Sequence, residues 1–307
     1  MLNIRNLSVW FDSTGVTHAV RNVSMMLADG EKMVIIGETG SGKSVFLQAI
    51  LRLLPPTAHC TGEVILNNID LLQIPWSDMC NVRGAKLGYI PQGAGHAMNP
   101  LLSIGYQVGE SWMIHNHRKR REAKKKAITL LRRFQLGEEE TIVHTYPHML
   151  SGGMRQRAMV AMGTAAGAAV ILADEPTKGL DEKRIQMVID SFKQLDRQTL
   201  LCVTHDISFA KAIAQRIVVM YAAIQVEAAD SKRFFSQPLH PYSRALLASQ
   251  PDNGFNCLIG FAPPKAASLI DTCVFAQLCP QAHKRCEHEP PMFDVEGRQV
   301  RCWLYEN

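Results

Sequence analysis

The segment that most constrains this chain is Gly37-Glu38-Thr39-Gly40-Ser41-Gly42-Lys43-Ser44, which fits G-x-x-x-x-G-K-[ST]. An apolar run from Met33 to Ile36 leads into it, and an apolar helix-like run, Val45 to Leu54, follows and stops at Pro55-Pro56. A strand, a glycine-rich loop and a helix in that order are the context this motif needs to hold phosphate. Its glycines let the backbone wrap with N–H groups pointing inward, and the helix N-terminus adds a positive dipole end. Lys43 is then placed to meet the β- and γ-phosphates, Ser44 to ligate Mg²⁺, and Val45 completes the nucleotide-binding set. The expected fold class is α/β with a parallel core sheet.

A second segment turns phosphate binding into hydrolysis. Val170-Ile171-Leu172-Ala173-Asp174-Glu175 is a buried-strand run ending in two acids. In a phosphate-loop ATPase a carboxylate at that place holds Mg²⁺, the role expected of Asp174. Glu175, one residue further, leaves the strand with its side chain redirected, as a general base acting on water requires. An Asp-Glu pair after a strand, taken alone, reads as a turn; beside the phosphate loop it points to a nucleotide hydrolase.

Bulk properties narrow the remaining classes. With 307 residues and 47% hydrophobic content the chain can bury one sizeable core and a smaller region. The net charge is +5, and much of the excess lies between Arg118 and Arg133. There Ala127, Ile128, Leu130, Leu131 and Phe134 recur at helical spacing, so the run reads as a solvated helix face. No aromatic residues interleave with the charges as base-stacking platforms, so no nucleic-acid partner is expected. Met1 to Trp10 alternates like a strand and has no long apolar core, hence no signal peptide and a cytosolic place are expected. Ala158 to Ala173 is too short and too interrupted for the ~20 residues of a membrane span and reads as a buried helix followed by a buried strand.

Antiparallel strands open the chain through Leu27, a helical pattern runs from about Ser103 to Phe134, and the strand Thr199 to Val203 ends near His205. Regularity falls away beyond Glu227, where prolines accumulate, which places a boundary near residue 230: an expected ATP-binding domain over 1–229 and a smaller region over 230–307.

Leu150-Ser151-Gly152-Gly153-Met154-Arg155-Gln156-Arg157, just upstream of the acidic strand, resembles the signature motif of the ABC ATPases. Physically it is another anion site, because a serine and two glycines open a helix. The resemblance implies that Ser151, Gly152 and Gly153 close over ATP held by the phosphate loop of a second ATPase subunit, a paralogue or a copy of this chain. It also implies an antiparallel β subdomain and a helical subdomain around the parallel core. Further matches follow in order: Gln92 with the glutamine loop that touches Mg²⁺ and the attacking water, Asp181 in Gly179-Leu180-Asp181 with the loop between subunits, and His205 with the switch histidine at the γ-phosphate. Phe11 is the aromatic expected to stack on adenine, with Trp10 as the alternative, since neighbours on a strand face opposite ways.

Within the family the chain is similar to the peptide/nickel importer ATPases, the oligopeptide and dipeptide permease group. Tyr146-Pro147-His148, the run His240-Pro241-Tyr242-Ser243-Arg244-Ala245-Leu246-Leu247 and the terminal cysteines carry that likeness. It departs from the group at Gly93 to Pro100, which lacks the usual acidic lead-in, and at Tyr221-Ala222-Ala223, which lacks a glycine at its last position, a change expected to reshape a turn. The resemblance implies import of peptides, nickel or related metal chelates at the cytoplasmic face of the inner membrane. Its implied partners are two transmembrane permease subunits and an extracytoplasmic substrate-binding protein. The alternative is a soluble ABC ATPase of the repair or translation type. Against it stand a single cassette and the absence of heptads between phosphate loop and signature.

Of eight cysteines, four gather late in the chain as Cys273, Cys279, Cys286 and Cys302, spaced C-x5-C-x6-C-x15-C. A cytosolic chain keeps thiols reduced, so the group reads as a ligand set and not a disulfide framework. Four thiolates suit either Zn²⁺, with His283 and His288 close by, or a [4Fe–4S] cluster, and the third reading is four packing cysteines with no cofactor. The family resemblance favours the cluster.

Overall fold

The computed structural model describes residues 1–12, 16–93, 97–195, 197–250 and 271–306. The chain divides into two compact units: Met1–Leu27 with Met33–Leu72 and the described residues from Val203 on, and Ala28–Lys32 with Gln73–Cys202.

In the first unit, Leu2 and Ile4, then Leu7 and Val9, are buried along the strand Leu2–Asp12, a period-two pattern that resumes after a bulge at Asn6, φ 48°, on a sheet with one covered face. This strand pairs antiparallel with Val16–Leu27 on one side and Ala58–Leu66 on the other, and Ile69–Asp70 completes that sheet. The strand Lys32–Ile36, buried from Met33 to Ile36, is different in kind. It pairs parallel with Arg216–Tyr221, and both read as unbroken apolar runs because neither has a solvent face.

Arg216–Tyr221 returns through a two-residue turn into Ile224–Asp230, paired antiparallel. Ala222 and Ala223 sit in the turn at φ 44° and 71°. Two positive φ values are what a tight hairpin of this twist demands, usually met by Asn-Gly. The missing glycine therefore leaves two alanines in left-handed conformation. Ala223 also accepts a hydrogen bond from the Arg21 N–H at 2.7 Å, which fixes the turn against the N-terminal sheet.

Ile224–Asp230 ends at the boundary expected near residue 230. One edge pairs with the strand before it, the other with Arg298–Val300, which pairs in turn with Phe293–Val295. Residues on both sides of 230 thus belong to one compact unit. Leu239, Val300 and Cys302 form a small apolar cluster within it, with Phe293, Val295 and Tyr305 packed against them.

In the second unit, Leu87–Ile90 lies parallel to Val170–Asp174. The helical expectation over Ser103 to Phe134 resolves into two helices, Ile104–His115 and Arg120–Arg133. Ser103 caps the first, its Oγ accepting from the Tyr106 N–H at 3.4 Å. The break passes through His117 at φ 50°. On the second helix Ala123, Ala127, Leu130 and Leu131 are buried while Arg121, Lys124, Lys125 and Arg132 are exposed, a solvated basic face over an apolar stripe. The buried helix and strand expected across Ala158 to Ala173 are Gly152–Thr164 and Val170–Asp174. Among the described residues no helix is long and apolar enough to cross a membrane.

Candidate functional site

The phosphate loop joins the buried strand Lys32–Ile36 to the helix Lys43–Ile50. Two glycines decide its path. At Gly37, φ 155°, an added Cβ would lie 2.1 Å from the Met220 carbonyl oxygen, and at Gly42, φ 97°, 1.9 Å from that of Ala19. No other residue fits either place without moving backbone. Lys43 is 5% exposed, and its Nζ donates to the carbonyl oxygens of Gly37 at 2.7 Å and Glu38 at 2.8 Å and reaches Ser41 Oγ at 3.4 Å. The ammonium is thus held at the loop's mouth by the loop itself. Burial raises the Glu38 carboxyl above its ordinary range, against the lowering pull of Lys43.

The acidic strand end lies in the second unit. Asp174 and Glu175 are 2% and 7% exposed. Tyr89, on the adjoining parallel strand, donates its hydroxyl to the Asp174 carboxylate; burial first, then that charge, holds the phenol far above its usual range. Tyr89 carries no motif of its own and was not legible as a site residue. Its only signal is a place on the strand that leads to Gln92. Glu175 stands at φ 46°, a left-handed conformation rare for a side chain of this kind. That backbone turn takes the glutamate out of the strand's alternation. Gln92 follows the strand Leu87–Ile90 and is exposed. Of the departure at Gly93 to Pro100, residues 94–96 lie outside the described residues.

The signature serine caps the helix Gly152–Thr164, with Ser151 Oγ accepting from the Met154 N–H at 3.3 Å. Asp181 does the same for Glu182–Lys193, its Oδ1 accepting from the Arg184 N–H at 3.0 Å while Oδ2 meets Arg184 Nε at 3.1 Å. The Arg184 side chain runs past Gly152 and Gly153, where an added Cβ would meet it at 3.7 and 3.4 Å. One arginine thus ties the signature to the Asp181 loop. Ser151 is exposed, so the capped N-terminus faces solvent with its hydroxyl and the Gly152 amide.

In the first unit, His205 is exposed directly after the strand Thr199–Thr204, and Asp206 caps the following helix by accepting from the Phe209 N–H at 3.0 Å. Phe11 and Trp10 are both half-buried. The Trp10 ring stacks on His59 at 5.4 Å and 14° and lies 6.3 Å from His18, so that aromatic face is already engaged. Phe11 points to the opposite face of the strand.

The four late cysteines converge. Cys273, Cys279, Cys286 and Cys302 line one small pocket together with His240, Pro241, Phe275 and His283. All four are free thiols. Cys286 Sγ lies 3.6 Å from His283 Nδ1, and the Cys273 N–H donates to the Cys286 carbonyl at 3.1 Å. Burial pushes the Cys273 thiol up to about 11; the Phe275 N–H pulls it down and the other three sulfurs push it further up. Among the described residues no group of three or more such side chains already stands in metal-holding geometry.

Comparison with known proteins agrees with these features. Residues 20–178 match the ABC transporter family, and residues 226–286 match the oligopeptide/dipeptide transporter C-terminal region. The dipeptide transport ATP-binding protein DppD of Bacillus subtilis is 36% identical, with 100% of this chain and 95% of the relative covered. The oligopeptide transport ATP-binding protein OppD of the same organism is 35% identical over 99% of this chain and 88% of its own. DppD of Escherichia coli is 33% identical over 98% and 96%. Among solved structures, the dimeric ATP-binding cassette MJ0796 in a post-hydrolysis state with ADP and phosphate superposes with a TM-score of 0.68 at 29% identity, covering 75% of this chain and 99% of the cassette. The chain belongs to the ABC transporter family, as an ATP-hydrolysing, ATP-binding subunit of the oligopeptide/dipeptide group.

Proposed function

We infer that this chain supplies the energy of ATP hydrolysis to an importer of peptides, docked on the cytoplasmic side of transmembrane permease subunits that a substrate-binding protein loads. The observation that carries this reading is the full-length likeness to dipeptide and oligopeptide transport ATP-binding proteins, which includes the segment after residue 230 as well as the cassette. Nickel or a metal chelate is the other cargo class this group implies. ATP turnover by the assembled transporter tests it: turnover that rises with a loaded peptide-binding protein supports the reading, and turnover indifferent to every peptide overturns it.

In this reading residues 1–229 form the ATP-binding domain and 230–307 the tail. The Gly37–Ser44 loop cradles the phosphates, with Thr39, Gly40 and Ser41 offering backbone N–H groups and Phe11 stacking on adenine. Lys43 exchanges its two loop carbonyls for phosphate oxygens. Ser44, and separately Gln92 and Asp174, are the residues that would hold Mg²⁺, which would supply charge neutralisation at the phosphates, and the Tyr89 hydroxyl fixes the Asp174 carboxylate. Glu175 takes a proton from the attacking water, and its left-handed backbone is the kind of local strain that collects at working sites. His205 contacts the γ-phosphate. Ser151, Gly152, Gly153 and Asp181 serve a nucleotide bound by a second ATPase subunit.

The tail is read as holding a [4Fe–4S] cluster on Cys273, Cys279, Cys286 and Cys302. Support comes from four free thiols lining one pocket, where burial and then the other three sulfurs oppose ionisation of Cys273, an opposition a bound cation would relieve. Anaerobically purified protein should be brown with about four irons per chain. Cys279→Ser should lose the colour and loosen the tail to protease while ATP binding survives. One zinc and no iron would replace the cluster, and no metal at all would leave packing cysteines.

A further inference from the structure

The run beginning His240-Pro241-Tyr242 has no part in the nucleotide chemistry above, yet its tyrosine reaches the phosphate loop. The Glu38 N–H donates to Tyr242 Oη at 3.1 Å, while the Glu38 carbonyl accepts from Lys43 Nζ at 2.8 Å. The Glu38 backbone is therefore held at both its N–H and its carbonyl. Tyr242 is 2% exposed, and its own place is fixed by a relay of buried groups. The Glu227 carboxylate, fully buried, accepts from the Leu239 and His240 N–H groups at 2.9 and 2.8 Å. His240 Nδ1 then accepts from the Tyr242 N–H at 3.0 Å. Each of these bonds is shielded from water, so none is readily exchanged for a solvent bond.

The same ring carries a second contact. Tyr242 lies 4.3 Å from the Tyr221 ring and 5.6 Å from that of Phe275, and Tyr221 and Phe275 meet edge-on at 5.4 Å. Phe275 is a wall of the four-cysteine pocket, two residues after Cys273. Tyr221 follows Met220, whose carbonyl packs against Gly37. A displacement of Phe275 thus bears on Tyr242 and Tyr221, and through them on both ends of the Gly37-Glu38 turn.

We propose that Tyr242 is a positioning residue for the phosphate loop and that, through Phe275, it couples nucleotide binding to the packing of the four-cysteine pocket. The proposal rests on Gly37–Ser44 being the nucleotide site. An anchored Glu38 peptide lowers the ordering cost that ATP must meet, so affinity depends on an anchor that never touches the ligand. By linkage, nucleotide must in turn tighten the tail.

The test is calorimetric titration of the full chain with Mg-ATP for four forms: wild type, Tyr242→Phe, Phe275→Leu and the double variant. Tyr242→Phe keeps the ring and removes one acceptor, for an expected loss of about 3- to 10-fold in affinity with kcat of the assembled transporter kept at saturating ATP. Phe275→Leu should also weaken binding, and the two effects should fall short of multiplying, because they act through one ring. A purely structural tyrosine would lower the melting temperature and leave the affinity alone. As a measurement that does not need the leucine variant to fold, amide exchange across 271–288 should slow with Mg-ATP in the wild type and not in Tyr242→Phe. Equal affinities of wild type and Tyr242→Phe overturn the positioning role. Multiplicative losses, or equal ATP protection of the tail in both forms, overturn the coupling. A wild type that binds no nucleotide overturns the underlying site reading and this inference with it.

Discussion

Lys43 shows how much a single residue in this chain is committed before any ligand arrives. Its ammonium is buried and already satisfied by two carbonyls and a hydroxyl of its own loop. Phosphate binding replaces neutral acceptors with charged ones, and charge-assisted bonds are roughly twice as strong. Lys43→Ala should therefore weaken ATP binding itself, by 10-fold or more in a calorimetric titration. An unchanged affinity would remove the residue from the site. The loop, the acid pair and the signature were all legible in the sequence because each is a contiguous run whose neighbours supply its context. Tyr89 and Tyr242 were not. Tyr242 meets Glu38 across a sequence separation of 204, and Tyr89 meets Asp174 across the strand pairing of Leu87–Ile90 with Val170–Ala173. Nothing local to either tyrosine encodes its partner.

At the scale of elements, the N-terminal strands were readable from their alternation, and the unbroken apolar strands at Met33 and Val170 from their short length and the loop or acid pair that bounds them. The break between the helices Ile104–His115 and Arg120–Arg133 was not, because the apolar stripe continues on both sides of it. Nor was the pairing of Ile224–Asp230 with Arg298–Val300, which joins the tail to the sheet. The turn at Ala222-Ala223 was marked as an oddity from the missing glycine, and its positive φ values give the oddity a cost. An L-residue in left-handed conformation loses about 1–2 kcal/mol against glycine. Ala223→Gly keeps the carbonyl that Arg21 uses, so it should stabilise the fold by about 1 kcal/mol, seen as a rise of a few degrees in melting temperature. A fall would mean that the methyl group, not the backbone, matters there.

For the whole molecule, the proposed pairing with a second ATPase subunit centres on Ser151, which caps an exposed helix start beside Gly152 and Gly153. Ser151→Arg should leave ATP binding at the phosphate loop intact and abolish ATP-driven pairing of cassettes in sedimentation. A variant that pairs normally would contradict the sandwich arrangement. The claim on which all else depends is that the chain hydrolyses ATP with Glu175 as the base on water. The most direct measurement is the steady-state turnover of Mg-ATP by the assembled transporter carrying Glu175→Gln, beside its ATP affinity. With Glu175 as the base, turnover should fall by several orders of magnitude while affinity is retained; turnover equal to wild type would contradict that role.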